Sequence, residues 1–291
     1  MSEHTQSPEK QNGQQQQQLV LALDTSTASL ACALVRGQEV LKDIQSLAER
    51  NHSVHTVSIV QQILADCGVK PEELDGIAIG RGPGSYTGMR IAVSVGKTLS
   101  WVWNKPLVGV SSIEALGYGA WQSHASAELS QAAAPLWIVP IMDARRGQVY
   151  TALFEAAAHD GEGGNWTRVS KDGIRLMHDW VDRLVAKLAE LPSESRPSAI
   201  WIVGELEKHE EEADRLQQLC SESGRNVEVR KQEYILEGRS VASLGLHRLA
   251  AGEQDDAHTF IPNYTQLTEA EVKLQEKTAQ QAADGKGGGS Q

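Results

Sequence analysis

From Leu19 onward the chain alternates short apolar runs with turn signals, and the first run, Leu19 to Asp24, reads as a buried strand ending in a turn. Leu30–Val35 and Glu39–Ile44 follow as strands joined by the hairpin-like Arg36-Gly37-Gln38. The pattern then becomes helical from Ser53, as N-cap, to Cys67, where Gly68 and Pro71 stop it. A strand at Ile77–Ile79, a helix over Gly88–Trp103, a strand at Leu107–Val110 and a helix capped at Ser111 or Ser112 complete a β-β-β-α-β-α-β-α order. That is the order of a ribonuclease-H-like domain over residues 19–118.

The pattern restarts near Pro135. Strands are predicted at Leu136–Met142, Gln148–Phe154 and Trp166–Ser170, a helix at Met177–Ala189, a strand at Ala199–Val203 and an acidic helix at Glu207–Cys220. In both halves the first strand ends in an aspartate, Asp24 and Asp143. The expected architecture is therefore α/β, with two ribonuclease-H-like domains of mixed sheets flanked by helices, as in the actin-like ATPase superfamily. Such an analogy of fold assigns no function. The expected divisions are a linker over 119–134, a degenerate second domain over 135–235, and a C-terminal helix and segment over 236–267 packing back on the first domain. Residues 1–18, ending in glutamines, and 268–291 are too polar to offset their ordering entropy and are expected to be disordered tails.

Composition narrows the function classes. A formal net charge of -11, from 27 Lys and Arg against 38 Asp and Glu, gives no overall positive field for nucleic acid. Any nucleic acid is expected to be held mainly by a partner. Cys32, Cys67 and Cys220 lack CxxC spacing and read as reduced small hydrophobes. No span is long and apolar enough for a membrane helix, and residues 1–18 lack an apolar signal core, so the expected location is the cytoplasm, with no membrane contact.

The candidate chemistry is sparse. Asp24-Thr25-Ser26-Thr27 suits metal-bound water or phosphate oxygens, although its spacing alone favours an Asx or Ser/Thr turn linking two strands. Gly80-Arg81-Gly82-Pro83-Gly84-Ser85-Tyr86-Thr87-Gly88 resembles a phosphate cradle but lacks GxxxxGK[ST]. Glycines also serve backbone geometry alone. Asp24, Thr25, Gly82 and Gly84 are thus weak cofactor-binding candidates. His52 and His55 supply at most half a tetrahedral metal site, so no metal is expected. Arg145 and Arg146 suit a pairing with Asp143 or a partner, or a solvated hairpin tip. No Ser-His-Asp, Cys-His or Gly-x-Ser-x-Gly arrangement is evident, so no catalytic residue is assigned.

Two helices carry surplus apolar area. Met89, Ala92, Val93, Leu99 and their neighbours leave the second almost no polar face, and Gly88, Ala92, Gly96 and Ser100 recur as a small-residue groove. Val57, Ile59 and Ile63 do the same for the first. His52, His55, Ile59, Ile63, Met89, Ala92, Gly96 and Leu99 are the candidate partner interface. Cover by the chain's own elements is the alternative.

The blocks Leu21-Ala22-Leu23-Asp24-Thr25-Ser26-Thr27, His52-Ser53, Gly80 to Ile91, Pro106 to Leu116 and Asp143 to Tyr150 resemble the bacterial TsaB (YeaZ) family of tRNA threonylcarbamoyladenosine biosynthesis proteins across roughly residues 19–267. The resemblance implies a non-catalytic actin-like protein that dimerises with a catalytic TsaD-like homologue transferring threonylcarbamoyl to N6 of adenosine 37 in tRNAs reading ANN codons. It further implies an ATP-binding TsaE-like third component, a homodimer when alone through the first two helices, and ATP and metal confined to the partners. Pro262-Asn263-Tyr264-Thr265-Gln266 departs from the family's usual Pro-x-Tyr-Leu-Arg, and Gly204-Glu205-Leu206 from its Gly-Thr-Gly. The competing function classes are a nucleotide-hydrolysing enzyme of sugar-kinase type using the Asp24 and Gly80 turns, and a chaperone-like or purely structural homodimer.

Overall fold

The computed structural model describes residues 17–47, 52–124, 134–157, 165–224 and 227–265, with the side chains of His52 and Ser53 outside that description. The first sheet comprises β1 (Leu19–Asp24), β2 (Leu30–Arg36), β3 (Glu39–Ser46), β4 (Gly76–Gly80) and β5 (Leu107–Val110). Its order is β3-β2-β1-β4-β5, with β1 antiparallel to β2 and parallel to β4. The helices α1 (His52–Asp66), α2 (Tyr86–Trp103) and α3 (Ser112–His124) interrupt or follow these strands.

The second sheet repeats the plan with β6 (Leu136–Asp143), β7 (Gln148–Ala157), β8 (Asn165–Leu176), β9 (Ala199–Gly204) and β10 (Glu228–Glu233), in the order β10-β9-β6-β7-β8. Read from its other edge, that order matches the first sheet, an antiparallel meander extended by parallel strands. Helices α4 (Met177–Glu190) and α5 (Glu210–Glu222) cover its outer face, and α6 (Gly238–Ala250) ends the regular structure. The architecture is thus the α/β duplication expected for the actin-like class.

The two halves exchange helices across their junction. Helix α3 follows the first sheet in sequence yet lies on the second, where Gly117 faces Ile138 and Pro140. Helix α6 follows the second sheet yet lies on the first: Gly238 meets the backbone of Cys32 and Ala33, and Gly245 meets Ala78. One buried cluster therefore runs from Val20, Ala22 and Val108 through Leu116 and Val241 to Ile138, Phe154 and Trp201. Trp166 seals it, stacking on Phe154 at 4.8 Å and on Trp121 at 5.4 Å. Each sheet has a separate outer core, built with α1 and α2 on the first and with α4 and α5 on the second.

Several expectations need correction. Residues 119–124 are helical and Ala120 and Trp121 are buried, so the region expected as a linker from 119 begins as part of α3; residues 125–133 lie outside the described residues. Strand β8 runs to Leu176 rather than Ser170, and α5 starts at Glu210 rather than Glu207. Strand β10 was not expected at all. Its sequence, Glu228-Val-Arg-Lys-Gln-Glu, carries almost no apolar signal because it is an edge strand, where charge discourages further pairing. The expected tails 1–18 and 268–291 lie outside the described residues, except Gln17 and Gln18.

Candidate functional site

The aspartate at the end of β1 and the glycine loop after β4 meet, as their places at the C-terminal ends of adjacent parallel strands require. Asp24 is fully buried. Its Oδ1 accepts from the backbone N–H of Ser26 at 2.6 Å, and its Oδ2 accepts from the Ser112 hydroxyl at 2.5 Å. The Ser112 oxygen also accepts from the N–H of Gly82 at 2.9 Å, and the Ser112 N–H donates to the Gly82 carbonyl at 3.0 Å. One serine at the start of α3 thus ties the carboxylate to the loop. Burial pushes the Asp24 carboxyl above the usual carboxylate value, and the bonds from Ser112 and Ser26 draw it back only in part.

The loop is drawn against the turn along its length. A Cβ at Gly80 would overlap Asp24 Oδ2, and one at Gly88 would overlap the carbonyl oxygen of Thr25. Gly84 lies against Ser26, and the Gly82-Pro83 peptide is cis. Ser85 donates its N–H to the Ser26 carbonyl at 2.7 Å and caps α2 by accepting from Gly88 at 3.3 Å. Thr25 donates its hydroxyl to the Gly88 carbonyl at 2.6 Å and accepts from the Ala92 N–H at 3.1 Å. The N–H groups of Arg81, Gly82, Ser85 and Gly88 all bond within the chain.

The matching turn in the second half is occupied differently. Asp143 accepts from Lys208 Nζ at 2.8 Å and lies 3.2 Å from Nε2 of the buried His209. Burial alone would push its carboxyl up, but Lys208, the Arg145 N–H and His209 outweigh that and hold it below the usual range. Glu205, the residue that departs from Gly-Thr-Gly, accepts from the Asp143 N–H at 2.8 Å. Arg145 and Arg146 are exposed at the hairpin tip with φ of 65° and 54°; their side chains do not pair with Asp143. Among the described residues, no group of three or more His, Cys, Asp or Glu is placed to hold a metal ion.

The interface candidates divide sharply. Ile63 and Ala92 are fully buried, and Ile59 and Met89 nearly so. Gly96 packs against Ile79 of β4, and Met89 against Gly82. These residues belong to the chain's own core, which corrects the expectation that they line a partner groove: the small residues of α2 let it approach its own sheet. Leu99 is half-buried against the same core. His55 is exposed, as are Val54, Val57, Tyr86, Trp101 and Val102, while the side chain of His52 lies outside the described residues. Lys97 is no free surface lysine either, because it donates to the carbonyls of His258 and Phe260 at 3.2 and 2.9 Å. Sequence reasoning passed over Ser112 except as a helix cap, and missed the cluster in which Arg90 lies 4.0 Å over the Tyr86 ring and donates to the Tyr264 hydroxyl at 2.8 Å.

Two ribonuclease-H-like halves with helices exchanged between them, and a first turn shut on its own glycine loop, define an actin-like protein. Its sequence matches the model of the family described as TsaD, tRNA N6-adenosine threonylcarbamoyltransferase, over residues 43–274. Within that group the chain belongs to the TsaB family. It is 32% identical over 254 residues to the tRNA threonylcarbamoyladenosine biosynthesis protein TsaB of Bacillus subtilis, covering 87% of this chain and 96% of that one. It is 31% identical to the protein of the same name from Escherichia coli, over 57% of this chain and 67% of the relative. Among solved structures, YeaZ from Pseudomonas aeruginosa shares the fold at a TM-score of 0.61, with 20% identity over 85% of this chain and 99% of the other. No helix of the described residues is long and apolar enough to cross a membrane.

Proposed function

We propose that this chain is the non-catalytic partner in threonylcarbamoyl transfer to N6 of adenosine 37 of tRNA, acting on a TsaD-like catalytic homologue in the cytoplasm. The observation that carries this reading is the closure of the Asp24 turn. Both carboxylate oxygens are engaged by the chain, and so are the N–H groups of Arg81, Gly82, Ser85 and Gly88 in the loop. A transferase or kinase of this class needs those groups open toward substrate and metal. Membership of the TsaB family, whose relatives are named for threonylcarbamoyladenosine biosynthesis, supplies the reaction.

On this reading ATP and metal act in the partners, a TsaE-like ATP-binding protein joins the complex, tRNA is held mainly by the assembly, and the chain forms a homodimer when alone. The pairing surface is the outer side of α1 and α2, where His55, Val54, Val57, Tyr86, Trp101 and Val102 remain exposed. The test is reconstitution: threonylcarbamoyl incorporation into tRNA by the catalytic homologue and the ATP-binding protein, with and without this chain. Incorporation that depends on the chain, together with no ATP turnover by the chain alone, is expected. Full incorporation in its absence, or ATP hydrolysis by the isolated chain that Asp24→Asn abolishes, would refute it.

A further inference from the structure

Away from the closed turn, the two halves enclose a cleft of about 580 Å³, within the range of small-molecule sites. The β4–α2 loop and the β5–α3 turn form one wall, β8 the opposite one, and the end of α6 with the C-terminal segment closes the side. Four side-chain cations and three carboxylates face it. Arg168 is bound by Glu114 and Asp172, and Arg248 by Glu253 at 2.8 Å with Asp255 at 3.5 Å. Asp172 accepts further from Ser111 at 2.7 Å, and Glu114 from the Trp166 indole at 3.2 Å. The carboxylates are therefore committed.

Two cations are left over. The side chains of Arg81 and Lys171 make no hydrogen bond or ion pair among the described residues, and Arg81 Nε is shielded from solvent with no partner at all. The Arg81 backbone is pinned on both sides: its N–H donates to Val110 at 2.9 Å, and its carbonyl accepts from Asn263 at 2.7 Å. The shielded Nε–H is beyond a ligand's reach, so it is through its terminal nitrogens that Arg81, a cleft-lining planar fork fixed at its root, suits a two-oxygen acceptor.

We propose that this interdomain cleft binds a phosphate-type oxyanion carried by a small molecule, with Arg81 from the first half and Lys171 from the second as its ligands. The source is a free small molecule rather than an RNA strand, because the whole-chain charge of -11 opposes a polyanion while a local pair of cations still suits one compact group. Because the ligands come from both halves, occupancy also braces the junction. The inference does not depend on the partner reading.

The probes are inorganic phosphate and pyrophosphate, titrated calorimetrically into the full chain and into Lys171→Ala, Arg81→Gln and Lys187→Ala, each checked by circular dichroism. Saturable binding to the wild type and to Lys187→Ala is expected, weakened about tenfold or more in the two cleft variants. Lys171 is exposed, so its variant decides the matter even if Arg81→Gln fails to fold. Absence of saturable binding to the wild type, or equal affinity for wild type and Lys171→Ala, overturns the site. A short single-stranded RNA that competes better than pyrophosphate at equal salt overturns its assignment to a small molecule.

Discussion

Replacing Ser112 by alanine tests the closure of the Asp24 turn directly. Ser112 is fully buried, and its hydroxyl is the only bridge described between Asp24 Oδ2 and the Gly82 N–H. Removing it orphans a buried backbone donor, at about 1–3 kcal/mol, and takes a charge-assisted bond from a buried carboxylate, at about 1.5–3 kcal/mol. A combined loss of about 3–5 kcal/mol is a large part of the roughly 5–15 kcal/mol that holds a folded protein together. At about 2–4 °C per kcal/mol for a chain approaching this size, the melting temperature falls by about 6–20 °C.

The loss also has a pH signature. The folded Asp24 carboxyl is raised above its ordinary value of 3.8, so the folded state holds that proton more tightly than the unfolded chain does. The stability this confers is present below the ordinary value and is lost as pH rises through the window up to the folded value. Without Ser112 the folded value rises further and the window extends upward. Ser112→Ala therefore costs more at a pH above that window than at one below the ordinary value. Scanning calorimetry of both proteins at the two pH values measures this. A fall below about 2 °C, or one equal at both pH values, would show that the hydroxyl does not carry the closure.

Other consequences can be checked separately. Ala92→Arg places an unpaired charge in the outer core of the first sheet and is expected to prevent folding, seen as lost circular dichroism; a folded, merely non-pairing variant would restore the groove to the surface. Lys97→Ala releases two carbonyls of the C-terminal segment and is expected to cost about 1–2 kcal/mol and to speed limited proteolysis near Phe260, with cleavage unchanged as the contrary result. Burial pushes the Cys32 thiol well up, and Cys220 is buried too, so alkylation of the native protein is expected to label Cys67 first; mass spectrometry finding Cys32 labelled at an equal rate would contradict that.

Much of the element order was legible because β1, β2, β4 and β5 are buried on both faces and the helices end at strong stops. Leu107–Val110 and the stop of α2 at Asn104, which takes the left-handed φ of 52°, fall where the pattern put them. The misses share a cause. Strand β10 is held by backbone pairing to β9, and pairing leaves no mark on side-chain periodicity. The exchange of α3 and α6 across the junction was hidden for a related reason: a helix pattern shows that a face is buried but not which sheet buries it. The apolar excess of α2 was read correctly as burial at Met89, Ala92 and Val93 but assigned to the wrong neighbour, while Trp101 and Val102, expected to be buried as well, are exposed.

The glycine loop shows the same ambiguity at a functional site. A missing Cβ lets backbone N–H groups approach a phosphate, and equally lets backbone approach another turn of the same chain. Residue types cannot separate the two, whereas the destination of each N–H can. Here Gly82 donates to Ser112, Ser85 to Ser26 and Gly88 to Ser85, while Gly80 leaves room for the Asp24 carboxylate itself. The turn that would be the chemical centre of an actin-like enzyme is thereby built as a packing joint. It locks β1, β4 and the starts of α2 and α3 into one piece, which fixes the outer surface of α1 and α2 that a partner would meet. If that surface is where the partner binds, loosening the joint should accordingly weaken pairing even though Asp24 and Ser112 are buried. Gly80→Ala, whose new Cβ must displace Asp24, is the variant in which that coupling would be read, by sedimentation with the catalytic homologue at a temperature where circular dichroism shows the fold intact. Pairing of Gly80→Ala as tight as that of the wild type would separate the joint from the surface and refute the coupling.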